Sequence, residues 1–370
     1  METKFQSYKQ GDLPKGCQYC VKGKKMVVFI TGLCGKGCYY CPISDYKKDN
    51  DVVFANEWEI SSFNDVIKEA ELTEARGAGI TGGDPLVKVT RCVDYIVNLK
   101  KRFGSKFHIH LYTPTRLVNE EKLKRLYDSG LDEIRFHLDL DSDSEWNRIE
   151  LATSYDWDVG VEIPLVPGKE DMIKKMIDYL EGKVKFLNLN ELELSDTNAQ
   201  SFDGKGFVSK DGISYGVKNS VEMGLELLSY AEGKSLDIHL CTCTLKDNVQ
   251  LRNRIMIRAK NVALPVDKIT SEGTLIRGCI YLEDLKPTFS YRKKLAKVNK
   301  EKVLKELETL REEIISKYNI KNVYVDPIKF RLFIAPQNLK RISKKLNNYA
   351  CAIVEEYPTH DGMEIEVEFI

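Results

Sequence analysis

The chain has 370 residues, 42% of them hydrophobic and 9% aromatic, enough to bury one large core and a smaller second one. Lys and Arg together number 56, as do Asp and Glu, so the zero net charge excludes a global field that would recruit nucleic acid or an anionic membrane. The opening METKFQSYKQGDLPKG lacks the apolar stretch of a signal peptide, and no apolar run approaches the ~18 residues of a membrane span. The protein is therefore expected to be soluble and cytoplasmic, with its cysteines reduced.

Residues 1–25 read as an N-terminal extension carrying Cys17 and Cys20. From Met26 onward, short β-rich runs alternate with amphipathic stretches, the pattern of β-α units on a parallel sheet. The predicted strands are MVVFITG (26–32), GAGITGG (77–83), FHIHLYT (107–113), EIRFHLD (133–139), VGVEIPLV (159–166) and FLNLNELEL (186–194). Between them, Ser61 or Ser62 suits a helix N-cap and Gly130 a helix stop. Residues 195–217, rich in Gly, Ser and Asp, read as a long loop of the lid or substrate-segment kind. A helix at about 218–233 and the strand LDIHLCT follow, closing a core barrel over 26–245. Residues 246–298 read as a connecting segment, and within it RNRIMIRAK (252–260) as a helix with a solvated basic face. Residues 299–370 alternate helices and strands as a separate small α+β domain.

Cys34, Cys38 and Cys41, in CGKGCYYC directly after the first barrel strand, are spaced C-x3-C-x2-C. At this cysteine frequency the spacing is expected by chance about 0.007 times. A zinc site completed by a distant ligand would explain three thiols. However, Gly35, Gly37 and the Tyr39-Tyr40 pair suit a loop wrapped around a larger object, whose sulfides the glycine backbone can approach. A [4Fe-4S] cluster on three thiolates keeps one iron open.

CGKGCYYC resembles the signature of radical S-adenosylmethionine (SAM) enzymes, with Tyr40 at the aromatic position. ITGGDP (80–85), one β-α unit later, resembles the family's Gly-Gly-Glu-Pro stretch, with Asp84 in place of Glu. The resemblance covers roughly residues 24–245 and is nearest to proteins related to glycyl-radical-enzyme (pyruvate formate-lyase) activating enzymes. It implies a partial (β/α)6 barrel, and the small C-terminal α+β domain at 299–370 lies outside it. It also implies that Cys34, Cys38 and Cys41 bind a [4Fe-4S] cluster whose open iron is chelated by SAM. One-electron cleavage of SAM then makes a 5′-deoxyadenosyl radical that takes hydrogen from a substrate. Cofactor contacts are expected from Tyr40, from the Gly82, Gly83 and Asp84 edge, and from polar strand ends such as His137, Glu162 and Asn188. The resemblance names no substrate: a small molecule, an RNA or a protein would do, with ferredoxin or flavodoxin as the class of reductant and no membrane partner.

Polar alternation on the predicted strands is itself informative, because a barrel strand between helices and a packed lumen should be almost wholly apolar. By alternation the lumen face of FHIHLYT is either His108, His110 and Tyr112 or Ile109, Leu111 and Thr113. Arg135 and Asp139 accompany His137 on EIRFHLD, and Asn190 follows Asn188. A second constellation, Cys17, Cys20, Cys241 and Cys243, has the spacing of a further metal site for zinc, iron or an auxiliary cluster, with Cys279 and His239 as substitute ligands. Independent thiols are its plainer reading, and Cys92 and Cys351, in apolar surroundings, read as core. Two rival functions stand beside the leading one. The chain could be a non-catalytic iron-sulfur or zinc protein serving RNA binding or electron transfer, or an activase that abstracts hydrogen from a partner protein.

Overall fold

The computed structural model describes residues 1–370 apart from Ile213, with Arg292 described by its backbone. It divides into two compact units, Met1–Arg254 and Ile255–Ile370.

The first unit runs β1 (Tyr8–Gln10), α1 (Lys15–Cys20), β2 (Lys25–Phe29), β3 (Phe54–Ala55), β4 (Trp58–Glu59), α2 (Phe63–Leu72), β5 (Gly77–Thr81), α3 (Val89–Phe103) and β6 (His108–Pro114). It continues with α4 (Glu120–Asp128), β7 (Glu133–His137), β8 (Asp158–Leu165), α5 (Glu170–Leu180), β9 (Phe186–Glu191), α6 (Asp196–Phe202), α7 (Ser220–Tyr230), β10 (Asp237–Cys241) and the single turn α8 (Cys243–Leu245). The sheet order is β1-β10-β9-β8-β7-β6-β5-β2-β3-β4. From β2 through β10 every neighbouring pair is parallel, as the β-α repeat requires. The six predicted strands are β2 and β5 to β9, and β10 extends the parallel run. Two antiparallel pieces that the sequence reading missed finish the edges, β1 on β10 and the short pair β3 and β4 on β2.

Local chemistry explains the element ends. Ser62 opens α2 through a capping box with Asp65, whose carboxylate accepts the Ser62 backbone N–H at 2.8 Å. Asn119 caps α4 by accepting Lys122 N–H at 2.9 Å, and Gly130 ends the turn after it with φ of +93°. On β6, Ile109 and Leu111 join the core with Ile96, Leu99, Leu123 and Leu126 from the covering helices. Alternation then sends His108, His110 and Tyr112 to the lumen.

The predicted extension 1–25 is part of this unit. Its β1 completes the sheet, and α1 enters the barrel, where a Cβ on Gly16 would overlap His110 Nδ1 and come within 2.5 Å of an Arg135 nitrogen. Glycine at this one position lets the helix lie against the polar lumen.

The helix α9 (Arg252–Val262) crosses the division between the units. Its basic residues are solvated only in part: Arg252 and Lys260 are exposed, the other two are not. Arg254 pairs with Glu57 at 2.8 Å, and Arg258 is 3% exposed.

The second unit adds β11 (Lys268–Ile269), β12 (Leu275–Leu282), α10 (Tyr291–Leu295), α11 (Lys300–Tyr318), β13 (Val323–Asp326), β14 (Arg331–Ile334), α12 (Pro336–Ile342), β15 (Tyr349–Glu356) and β16 (Glu364–Phe369). Its antiparallel sheet has the order β13-β14-β12-β15-β16. The unit starts well before the expected boundary at 299. Leu275–Leu282, assigned by the sequence reading to a connecting segment, is the central strand, paired with β14 on one side and β15 on the other. One sheet face packs Ile280, Leu332 and Ile334 with Leu307, Leu310 and Ile314 of α11 and Leu339 of α12. The other carries an ionic network around Arg331, which is 1% exposed, bonds Asp326 at 2.9 Å and Glu356 at 2.6 Å, and donates to the Tyr281 hydroxyl at 3.1 Å.

Candidate active site

The cysteine loop leaves the C-terminal end of β2, the end of a parallel sheet where βα-loops converge on an active site. Its backbone is stitched to the stretch after β5. Ile30 N–H donates to Thr81 O at 2.8 Å, Gly83 N–H to Thr31 O at 2.8 Å and Asp84 N–H to Leu33 O at 2.9 Å. A Cβ on Gly83 would lie 2.6 Å from Leu33 O, 2.7 Å from Gly32 O and 2.8 Å from Cys34 Cβ, so the close approach requires glycine. The loop returns through Asp51, whose carboxylate accepts the Thr31 hydroxyl at 2.8 Å and Arg91 at 2.7 Å and pairs with Lys88 at 2.8 Å. These cations hold the Asp51 pKa well below the usual carboxylate range. Further tethers run to the ends of neighbouring strands. Arg116 donates to Gly35 O at 3.0 Å, and Lys36 pairs with Asp139 at 2.8 Å.

Cys34, Cys38 and Cys41 are half-buried. Burial raises the Cys34 and Cys38 thiols, Lys36 N–H donates to Cys34 Sγ at 3.4 Å, and the charges of Cys34 and Cys41 are felt at Cys38. Zinc, with Zn–S of about 2.3 Å, would draw its thiolates to within about 4 Å of one another. Among the described residues no three cysteines lie within 4.8 Å of one another. Three soft donors near one another, glycine backbone beside them and an aromatic wall fit an iron-sulfur group.

Tyr40 supplies the wall. Its ring is 8% exposed, and its hydroxyl lies 2.9 Å from His137 Nε2 at the end of β7. Burial, followed by the charge of Lys36, lowers the His137 pKa to about 4, so a neutral imidazole faces the tyrosine. The segment expected as a lid contains α6, whose Asn198 donates to Tyr40 O at 3.3 Å. Phe202 of α6 meets the Tyr39 ring at 6.2 Å between centroids and Phe207 at 4.9 Å. Ile213, in the same stretch, lies outside the described residues.

The other expected contact residues have partners within the chain. Asp84 is a cap: its Oδ1 accepts Leu86 N–H and the Thr113 hydroxyl, each at 2.9 Å. Glu162 is the hub of a lumen network, accepting Arg135 at 2.7 Å, Asn188 at 2.8 Å and Asn190 at 2.9 Å. Burial alone would raise the Glu162 pKa, but Arg135, Asn188 and Asn190 together outweigh it and the net direction is down. Arg135 also pairs with Glu133, whose pKa burial would raise and which Arg135, His108 and Lys25 together bring down to about 2. Asn188 therefore serves Glu162 and, at 3.4 Å, Cys17 Sγ.

The second cysteine constellation does not assemble as expected. Cys17, Cys20 and Cys241 are near enough for each of the first two to affect the Cys241 charge, and burial pushes the Cys20 thiol up to about 12. Cys243 turns elsewhere, its N–H donating to Glu191 at 2.6 Å and its thiol feeling Glu191 first after burial. Cys279 is a buried residue of the second unit, and His239 Nε2 lies 3.2 Å from Ser7 Oγ. Cys92 and Cys351 are core, as expected. Arg135 and Glu162 were legible as polar strand positions; Glu133 was not singled out, and the pairing could not be read because it depends on strand register.

No helix among the described residues is long and apolar enough to cross a membrane. The family model described as Radical SAM superfamily matches residues 28–180, and a model described as a domain of unknown function (DUF8061) matches residues 273–368. A curated Methanocaldococcus jannaschii protein, provisionally named a glycyl-radical enzyme activating enzyme, MJ0021, is 40% identical over 365 residues, covering 96% of this chain and 92% of its own length. Among solved structures, SuiB from Streptococcus suis aligns with 60% of this chain and 50% of its own at 11% identity and a TM-score of 0.42. Methylornithine synthase (PylB) aligns with 58% of this chain and 63% of its own at 12% identity and a TM-score of 0.40. The family match lies on the strands that carry the cysteine loop, and the relative is similar along nearly its whole length: the chain belongs to the radical SAM superfamily.

Proposed function

We propose that the protein reductively cleaves SAM at a [4Fe-4S] cluster held by Cys34, Cys38 and Cys41 and uses the product radical to abstract hydrogen from a substrate. The observation that carries this reading is the three-thiol loop stitched by backbone to the Gly82-Gly83 edge of β5. When bound, such a cluster supplies one electron to SAM, giving methionine and a 5′-deoxyadenosyl radical. The chain's own residues do the rest. The thiols hold the cluster at the mouth of the barrel, and the Gly82-Gly83 edge offers backbone groups to the SAM amino group while Asp84 caps the turn beneath it. Tyr40, Tyr39 and Phe202 cover the loop and exclude water and oxygen. His137 fixes the Tyr40 hydroxyl.

A second reading deepens the first: the hydrogen donor is a glycine of a partner protein, and the chain is an activase. The name of the M. jannaschii relative favours it. A ferredoxin or flavodoxin would be the reductant.

Anaerobic reconstitution with iron and sulfide, followed by dithionite and SAM, tests the proposal. The expected result is about four irons per chain, 5′-deoxyadenosine and methionine among the products, and loss of both iron and products in Cys38→Ala. Iron that survives in Cys38→Ala, or a loaded protein that makes no 5′-deoxyadenosine, would overturn it.

A further inference from the structure

We infer that His108, His110 and Glu133 form a binding site for a divalent ion of the zinc class, at the end of the parallel strands opposite the cysteine loop, and that the ion fastens α1 inside the barrel. His108 and His110 are two residues apart on β6 and share its lumen face. Glu133, the first residue of β7, stands directly across the ladder from His110. All three are buried, at 8%, 2% and 0% exposure, and their ligating atoms lie within 4.8 Å of one another. His108 Nε2 is 3.4 Å from one Glu133 oxygen and His110 Nδ1 is 3.6 Å from the other. These are poor hydrogen-bond lengths. They match the ligand-to-ligand distance of about 3.4 Å that a tetrahedral ion imposes at bonds of 2.0–2.1 Å.

One further feature points to a missing group: His110 Nδ1 is buried without a hydrogen-bond partner, which native interiors avoid. Lys25 provides the outer contact. Its Nζ lies 2.9 Å from His108 Nδ1 and donates to His108 O at 3.1 Å, so it holds the ring with Nε2 turned towards Glu133. Two imidazoles and a carboxylate suit zinc and leave a fourth position for water. The charge around the ion is set by Glu133 and Glu162 against Arg135, with Lys25, Cys17 and Cys20 close by. Gly16 N–H donates to Glu133 at 3.3 Å, so fixing the carboxylate also fixes the plug helix.

The test is independent of the proposed cluster. The full-length protein with Cys34, Cys38 and Cys41 replaced by alanine is stripped with a chelator and titrated with Zn²⁺ alone. One equivalent is expected. His110→Asn and Glu133→Gln should weaken binding by more than the roughly 100-fold that loss of an outer contact costs. Cys17→Ser, Cys20→Ser and Cys241→Ser together should leave it in place. Co²⁺ in the parent protein, which needs no further variant, should give d–d bands without a thiolate charge-transfer band. No zinc uptake by the folded parent, uptake unchanged in His110→Asn, or a strong thiolate band would each overturn the inference.

Discussion

Replacing Glu162 by glutamine removes one charge and no volume from the centre of the barrel. The carboxylate accepts three hydrogen bonds, two of them on one oxygen from Arg135 and Asn188 and the third on the other from Asn190. A glutamine can keep the first pair on its single oxygen, but its NH2 then faces the Asn190 amide, donor against donor. The charge-assisted bond from Arg135 weakens by about 1–1.5 kcal/mol and the unsatisfied contact costs about 1–3 kcal/mol, so a loss of about 3 kcal/mol is expected. For a unit of this size that corresponds to about 6–12 °C in Tm. Trp58, Trp146 and Trp157, all the tryptophans of the chain, lie in the first unit, so fluorescence-detected melting of the full-length protein reports this region. The Glu162 pKa is lowered by folding, so its contribution is present above the ordinary glutamate pKa of ~4.5 and disappears as pH falls through the folded value. The gap between wild type and Glu162→Gln should therefore close on acidification from pH 7. A variant that melts within a degree of wild type at pH 7, or a gap that widens in acid, refutes the reasoning.

Two further changes probe other levels of the structure. In Gly83→Ala the new methyl meets two carbonyl oxygens and Cys34 Cβ, which cannot all yield; a loss of about 1–3 kcal/mol and a lower iron content after reconstitution are expected. Equal iron content and an unchanged urea midpoint would show that the stitching between the two loops is dispensable. Arg331→Met leaves Asp326 without its buried cation and Glu356 with Arg277 and Lys329 alone, and should cost about 3 kcal/mol, read as lost hydrogen-exchange protection along β12, β14 and β15. Full protection in the variant would mean that the network contributes little.

The parallel core was legible because each strand is short, apolar on one side and followed by a helix with a recognisable cap or stop. Alternation also foretold a polar lumen, and β6 settles which of its two sets faces inward. Three features were out of reach for physical reasons. Tyr8–Gln10 and the β3 and β4 pair are too short to show a period. Leu275–Leu282 hides its strand character behind Arg277, which is buried and paired with Asp267 and Glu356 rather than solvated. The association of Cys17 with Asn188 and Arg135 spans more than a hundred residues and depends on where α1 sits in the barrel, which no local pattern encodes. The same holds for Asp84: the match of ITGGDP to a family stretch located the loop, but the hydrogen bond from Thr113 on a neighbouring strand decided the use of the side chain.

The pairing of Tyr8 with Leu240 sets an order of events. During synthesis, β1 has no partner until the last parallel strand has emerged, more than two hundred residues later, and α1 lacks its complete surroundings, Arg135 and Asn188 beside Cys17, until β7 and β9 have followed. Through that interval Cys17 and Cys20 stay open to solvent, to stray metal and to oxidants, while Cys34, Cys38 and Cys41 already have β5 to fold against. The barrel thus closes from the inside last, and the thiols it conceals at the end are those with the longest exposure beforehand.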